Sequence, residues 1–228
     1  ENSMAGIGFE LRKIYGRKTL ASGIWGSVYA TMASAGPSAL VAILILLFKF
    51  IMDHSNVTEL ESRFFISSFT YIFLASILIS AFFNTTLSRY ISDCIFQKAE
   101  EDICAAVFGV LAAGSAISGG LMLLLCVGMY EKSKISISFL VIYYFLGVLV
   151  TNAYNLMTFI SALKEYKEVT FSYFLGIVFA GAVFWAALQV FDMHIVTSAY
   201  LALVCGYFLW NLLLIFFCVK AFGRPGKR

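Results

Sequence analysis

The sequence predicts an all-α integral membrane protein with six transmembrane helices and both termini in the cytoplasm. Three observations carry this reading. Of 228 residues, 61% are hydrophobic and only 13% are charged, against roughly 25% charged in a soluble domain, so one globular core cannot hide the apolar side chains and lipid must act as the solvent. The apolar residues fall into six runs, each able to supply the about 20 residues that a spanning helix needs. Lys and Arg are divided unevenly between the two sides that those runs define.

The runs are 20–50, 64–83, 103–129, 135–163, 169–191 and 195–219. With the N-terminus inside, only Lys49, Arg63, Lys132 and Lys134 of the 16 Lys and Arg residues fall outside. The other twelve flank the inner ends, as the positive-inside rule requires. Aromatic residues, 17% of the chain, suit belts at both membrane interfaces.

Residues 1–3 precede Met4 and are expected to be an expression remnant. Residues 4–18 form a basic amphipathic cytoplasmic segment. Its stretch 10–18 is expected to be an interfacial helix, with Arg12, Lys13, Arg17 and Lys18 reaching anionic lipid headgroups; the alternative is an orientation signal alone. The six-helix lobe occupies 19–219, and 220–228 is a basic cytoplasmic tail. Within the first run, Pro37 removes a backbone donor and Gly36 permits a bend, so this long helix is expected to kink or tilt.

The loop 84–102 carries Leu87, Tyr90, Ile91 and Ile95 at helical spacing. It is read as an amphipathic connection lying on the inner membrane surface. Arg89 and Asp93, four residues apart, either pair to latch a helix end or belong to a solvated face. The third run contains Gly109, Gly114, Gly119 and Gly120, and the fifth contains Gly176 and Gly181. Such small residues let helices approach closely.

The fourth run is the most polar, with Tyr143, Tyr144, Thr151, Asn152, Tyr154, Asn155 and Thr158. Lipid cannot satisfy these groups, so they face the bundle or water. They either bind helices together or line a path, whose aromatic faces would suit sugar rings. Asp192 and His194 fall in the short turn before the sixth run.

No Asp, Glu, Lys or Arg falls clearly in the middle of a run, where an ion-coupled exporter ordinarily places one. The chain has no P-loop, no H-E-x-x-H and no nucleophile elbow. No cofactor, metal, nucleic-acid partner or enzymatic activity is expected. Five cysteines, without a C-x-x-C pair, read as small apolar residues.

The opening MAGIGFELRK at Met4–Lys13, followed by the Ser34–Pro37 break, resembles the Pel exopolysaccharide transporter family, PelG. This is a branch of the multidrug/oligosaccharidyl-lipid/polysaccharide flippase superfamily. The resemblance implies a multi-pass protein of the bacterial inner membrane that exports the cationic, amino-sugar-rich Pel polymer for the biofilm matrix. It implies partnership with other Pel membrane components and a cytosolic glycosyltransferase. It also implies two six-helix lobes that alternate access around a cavity, of which this chain matches the N-terminal one. The chain is then a fragment, a split half completed by a second six-helix lobe, or a unit that pairs with another copy. If the chain is half of an exporter, the path is expected to involve Tyr29, Ser34, Gly36 and Pro37 on the first helix, with Tyr144, Asn152, Tyr154 and Asn155 of the polar stripe on the fourth. A non-transporting scaffold of a polysaccharide synthase is the alternative, and a small multidrug or ion exporter is disfavoured by the missing mid-membrane charge.

Overall fold

A computed structural model describes residues 38–39, 41–55, 57–97, 101–133, 135–162, 166–191 and 193–222. The described chain is helical throughout: α1 (41–53), α2 (Glu59–Phe96), α3 (Glu101–Ser133), α4 (Ile137–Ala162), α5 (Tyr166–Gln189) and α6 (Ile195–Phe222). Helices α2 to α6 are all long and apolar enough to cross a membrane. Their outward faces leave Leu78, Phe82, Leu124 and Trp185 exposed. Such broad apolar exposure is stable only against lipid, and the chain is a multi-pass membrane protein. The first expected span, 20–50, is described only at its end. The segment 4–18, the Gly36–Pro37 break and the tail beyond 222 lie outside the described residues.

Helix α2 corrects one expectation. It runs unbroken for 38 residues, so 84–96 is not a separate segment lying on the membrane. At 1.5 Å per residue it extends about 57 Å, well beyond the about 30 Å hydrocarbon layer. No Gly or Pro interrupts it. Its Ser and Thr hydroxyls bond back to the preceding turn, as Thr85 does to Ala81 O and Ser92 to Ser88 O. Of the stripe read as membrane-facing, Leu87 and Ile91 are instead buried against the helix bundle, as is Cys94, while Tyr90 is exposed.

The start of α2 is fixed by a capping box. Thr58 N and Oγ1 both donate to Glu61 Oε2, at 3.0 and 2.8 Å. Asp53, at the end of α1, accepts from Lys49 Nζ and from Ser62 Oγ of α2. These two hydrogen bonds, Lys49 first, hold the Asp53 carboxyl below its ordinary pKa.

Helix α4 is central and packs against α2, α3 and α6. Helices α2, α4 and α6 run parallel. Near their starts Tyr143 OH donates to Ser68 O (3.2 Å), Tyr200 OH hydrogen-bonds Ser68 Oγ, and the Phe139 and Tyr200 rings meet edge to face at 4.9 Å. Helix α3 runs antiparallel to α4, and α5 antiparallel to α6. Phe48 brings α1 onto α5 through Phe184, ring centroids 4.5 Å apart.

The α5–α6 crossing is set by two glycines. A Cβ on Gly206 would lie 2.8 Å from both Gly176 O and Ala180 Cβ, and one on Gly176 would lie 2.9 Å from Gly206 O. Backbone cannot move aside as a flexible side chain can. Gly120 has nothing within 4 Å of an added Cβ. Gly206→Val is therefore expected to cost about 1–3 kcal/mol by overpacking, read as a lower thermal unfolding midpoint in detergent. Gly120→Val should leave that midpoint unchanged.

Candidate functional site

In a bilayer the polar side chains of α4 need partners from neighbouring helices. Most have them. Thr151 Oγ1 lies 3.0 Å from Gly147 O and 3.1 Å from Ser76 Oγ of α2, while Ser80 Oγ donates to Thr151 O at 3.2 Å. Asn152 Nδ2 donates to Ser115 Oγ of α3 at 2.8 Å. From α6, Asn211 Nδ2 donates to Leu149 O at 3.0 Å. Such bonds between membrane helices are worth about 0.6 kcal/mol each on average, so they hold α4 in register more than they add stability.

Asn155 is different. It is only 2% exposed, yet neither its Oδ1 nor its Nδ2 has a hydrogen-bond partner. It faces Gly114 of α3. A Cβ there would come within 2.7 Å of Asn155 Nδ2 and 3.9 Å of Asn152 Oδ1 and Phe83 Cε2. Asn152 Oδ1 and Asn84 Oδ1 are also buried without partners. Asn84 lies one turn past Ser80 and Asn155 one turn past Thr151. The Ser80–Thr151 bond between parallel helices therefore sets the two amides at one level. The unpaired Asn152 Oδ1 and both Asn155 amide atoms thus lie beside Gly114, where Phe83 brings α2 against α3 and α4. A buried unpaired amide group costs about 1–3 kcal/mol. The arrangement can accept and donate hydrogen bonds to a polar guest, water or sugar hydroxyl.

The structure divides the residues grouped in sequence. Tyr144 shares the α3–α4 seam with Asn152 and Asn155; its hydroxyl covers Gly119, where a Cβ would lie 2.8 Å away. Tyr154 does not share it. Its ring meets Phe73 of α2 edge to face at 5.7 Å, and its hydroxyl bonds Ser38. About 100° per residue separates it from Asn155. Tyr29, Ser34, Gly36 and Pro37 lie outside the described residues. Arg89 and Asp93 are both exposed and not paired with each other; the ion pairs among the described residues are Lys49–Asp53, Arg63–Glu59 and His194–Glu61.

Sequence reading passed over Asn84 and Asn211. For Asn84 the signal was present: Ser76, Ser80 and Asn84 recur every four residues along one face of α2.

The profile of one protein family, PelG, described as "Putative exopolysaccharide Exporter (EPS-E)", matches residues 4–228. No curated protein and no solved structure matches the chain.

Two neighbouring asparagines should respond oppositely to the same change. Asn152→Leu removes a partner from Ser115 and is expected to lower the unfolding midpoint by the equivalent of about 1 kcal/mol. Asn155→Leu removes only unpaired groups and should leave the midpoint unchanged or raise it. Differential scanning fluorimetry of both variants in detergent checks this.

Proposed function

Because the chain belongs to the PelG family of exopolysaccharide exporters, we propose that it forms one lobe of an inner-membrane transporter that passes Pel-type polysaccharide outward by alternating access. That family is an exporter family and not an enzyme family. The reading places the polymer's route along the α3–α4 seam, with Asn152 and Asn155 as hydrogen-bonding groups and Tyr144 as an aromatic wall. Tyr29, Ser34, Gly36 and Pro37 of the first span complete the route, and a second six-helix lobe, or another copy, closes its far side. Other Pel membrane components and a cytosolic glycosyltransferase deliver the chain to it.

The observation that carries the reading is the unpaired Asn155 amide. A membrane helix retains such a group at a cost of about 1–3 kcal/mol. The cost is recovered in a state where the seam opens and the amide meets sugar hydroxyls or water. The seam supports opening, because its close contacts are side chains laid over glycines: Asn155 over Gly114, Tyr144 over Gly119 and Met122 over Gly147. Side chains can rotate away; backbone contacts such as Gly176–Gly206 cannot.

In cells with the complete machinery, Asn155→Leu is expected to reduce secreted polymer about fivefold, the effect of about 1 kcal/mol per lost hydrogen bond. Its level in the membrane should equal that of the wild type. Unchanged export removes Asn155 from the route. A photocrosslinker at position 155 separates transport from the scaffold alternative: capture of glycan supports a route, and capture of protein partners alone supports a scaffold.

A further inference from the structure

We infer that the cleft between the starts of α2, α4 and α6 is a second, separate saccharide site, which holds one sugar ring of the departing polymer. This rests on the export reading and adds a site to it. The Lys and Arg distribution assigns this end of the lobe to the outside.

The cleft encloses about 440 Å³, within the range typical of small-ligand pockets. Phe64 and Phe139 wall it, their rings 5.8 Å apart and tilted by 48°. Glu61, Ser136, His194 and Thr197 supply its polar groups, and no Lys or Arg lines it among the described residues. Aromatic walls with a few placed polar groups match a pyranose, which has apolar C–H faces and a rim of hydrogen-bond donors.

Glu61 is the group that gives the site its chemistry. Its two carboxylate oxygens have different duties. Oε2 closes the capping box with Thr58. Oε1 faces His194 Nε2 at 3.5 Å, too long for a good hydrogen bond, and it retains capacity for a further donor. Both side chains are accessible, Glu61 at 42% and His194 at 56%. A ring that offers a hydroxyl or an ammonium donor to Oε1 and an apolar face to Phe64 fits this set. The cap holds the carboxylate in place beforehand, so little freedom is lost on binding.

The test uses the full chain in nanodiscs, titrated by calorimetry with a tetramer of N-acetylglucosamine and with its deacetylated, cationic counterpart. Saturable binding of at least one is expected. Binding of both marks a hydroxyl as the donor, and binding of the cationic tetramer alone marks the ammonium; either supports the site. Glu61→Gln should weaken binding about tenfold, since a charge-assisted bond becomes a neutral one. Gln preserves the capping box, so the unfolding midpoint should not move. Phe64→Leu should weaken binding as well. No saturable binding by the wild type, or binding that Glu61→Gln leaves unchanged, overturns the site. The export assay on Asn155→Leu is independent of this outcome, so loss of the outer site leaves the seam standing. Conversely, normal export by Asn155→Leu removes the seam without touching the cleft.

Discussion

No water is present inside a bilayer to satisfy a polar side chain, and that constraint organises this lobe around α4. Thr151, Asn152 and the Leu149 carbonyl each draw a partner from a different neighbour: α2, α3 and α6 respectively. Three helices are thereby fixed in rotation and height around one axis. Apolar packing alone would tolerate sliding, since one Leu face resembles another. Hydrogen bonds at fixed heights do not. The Ser68–Tyr143–Tyr200 cluster repeats the arrangement near the helix starts.

Two antiparallel seams in the same lobe have opposite mechanical characters. Between α5 and α6, glycine faces glycine, and the Gly176 and Gly206 backbones nearly touch. Sliding there would lose close contact along both helices at once. Between α3 and α4, each glycine is covered by a longer side chain, and the hydrogen bond of Asn152 to Ser115 crosses the seam close to unpaired amides. Rotation of a few side chains reshapes that seam without breaking a helix. The lobe therefore combines a rigid pair with an adaptable one. Buried polar atoms without partners occur in both regions, at Asn152 and Asn155 on the adaptable side and at Tyr207 OH, Trp210 Nε1 and Asn211 Oδ1 on α6; only the former sit where side chains alone close the seam.

Much of this was legible in the sequence. Spans from the second to the sixth follow from hydropathy, and the polar stripe of α4 from residue type. Close approach at Gly114, Gly119 and Gly176 follows from the small-residue pattern. What escaped was decided between helices. The apolar stripe at Leu87 and Ile91 fits a membrane surface or a protein partner equally well, and only the packing of α2 on the lobe distinguishes them. Tyr154 shares a stretch with Asn155 but turns toward Phe73 and Ser38, because helical phase separates neighbours in sequence. Cysteines 114 positions apart, Cys104 and Cys218, are both buried and lie near each other. No spacing rule could find that pair. Whether Asn155 is satisfied is likewise a property of three helices together.

The central claim is that the seam at Asn155 opens to a polar medium during work. Chemical access to that position tests it most directly. Asn155→Cys, placed in a chain whose five cysteines are replaced, would be treated in active cells with a water-soluble but membrane-permeant maleimide, with exposed Arg89→Cys as the positive control. The account predicts that position 155 is modified while polymer is being exported, although it is almost fully buried in the fold described. Strong modification at position 89 with none at position 155 would contradict it, and would leave the stripe on α4 as an element that holds helices together.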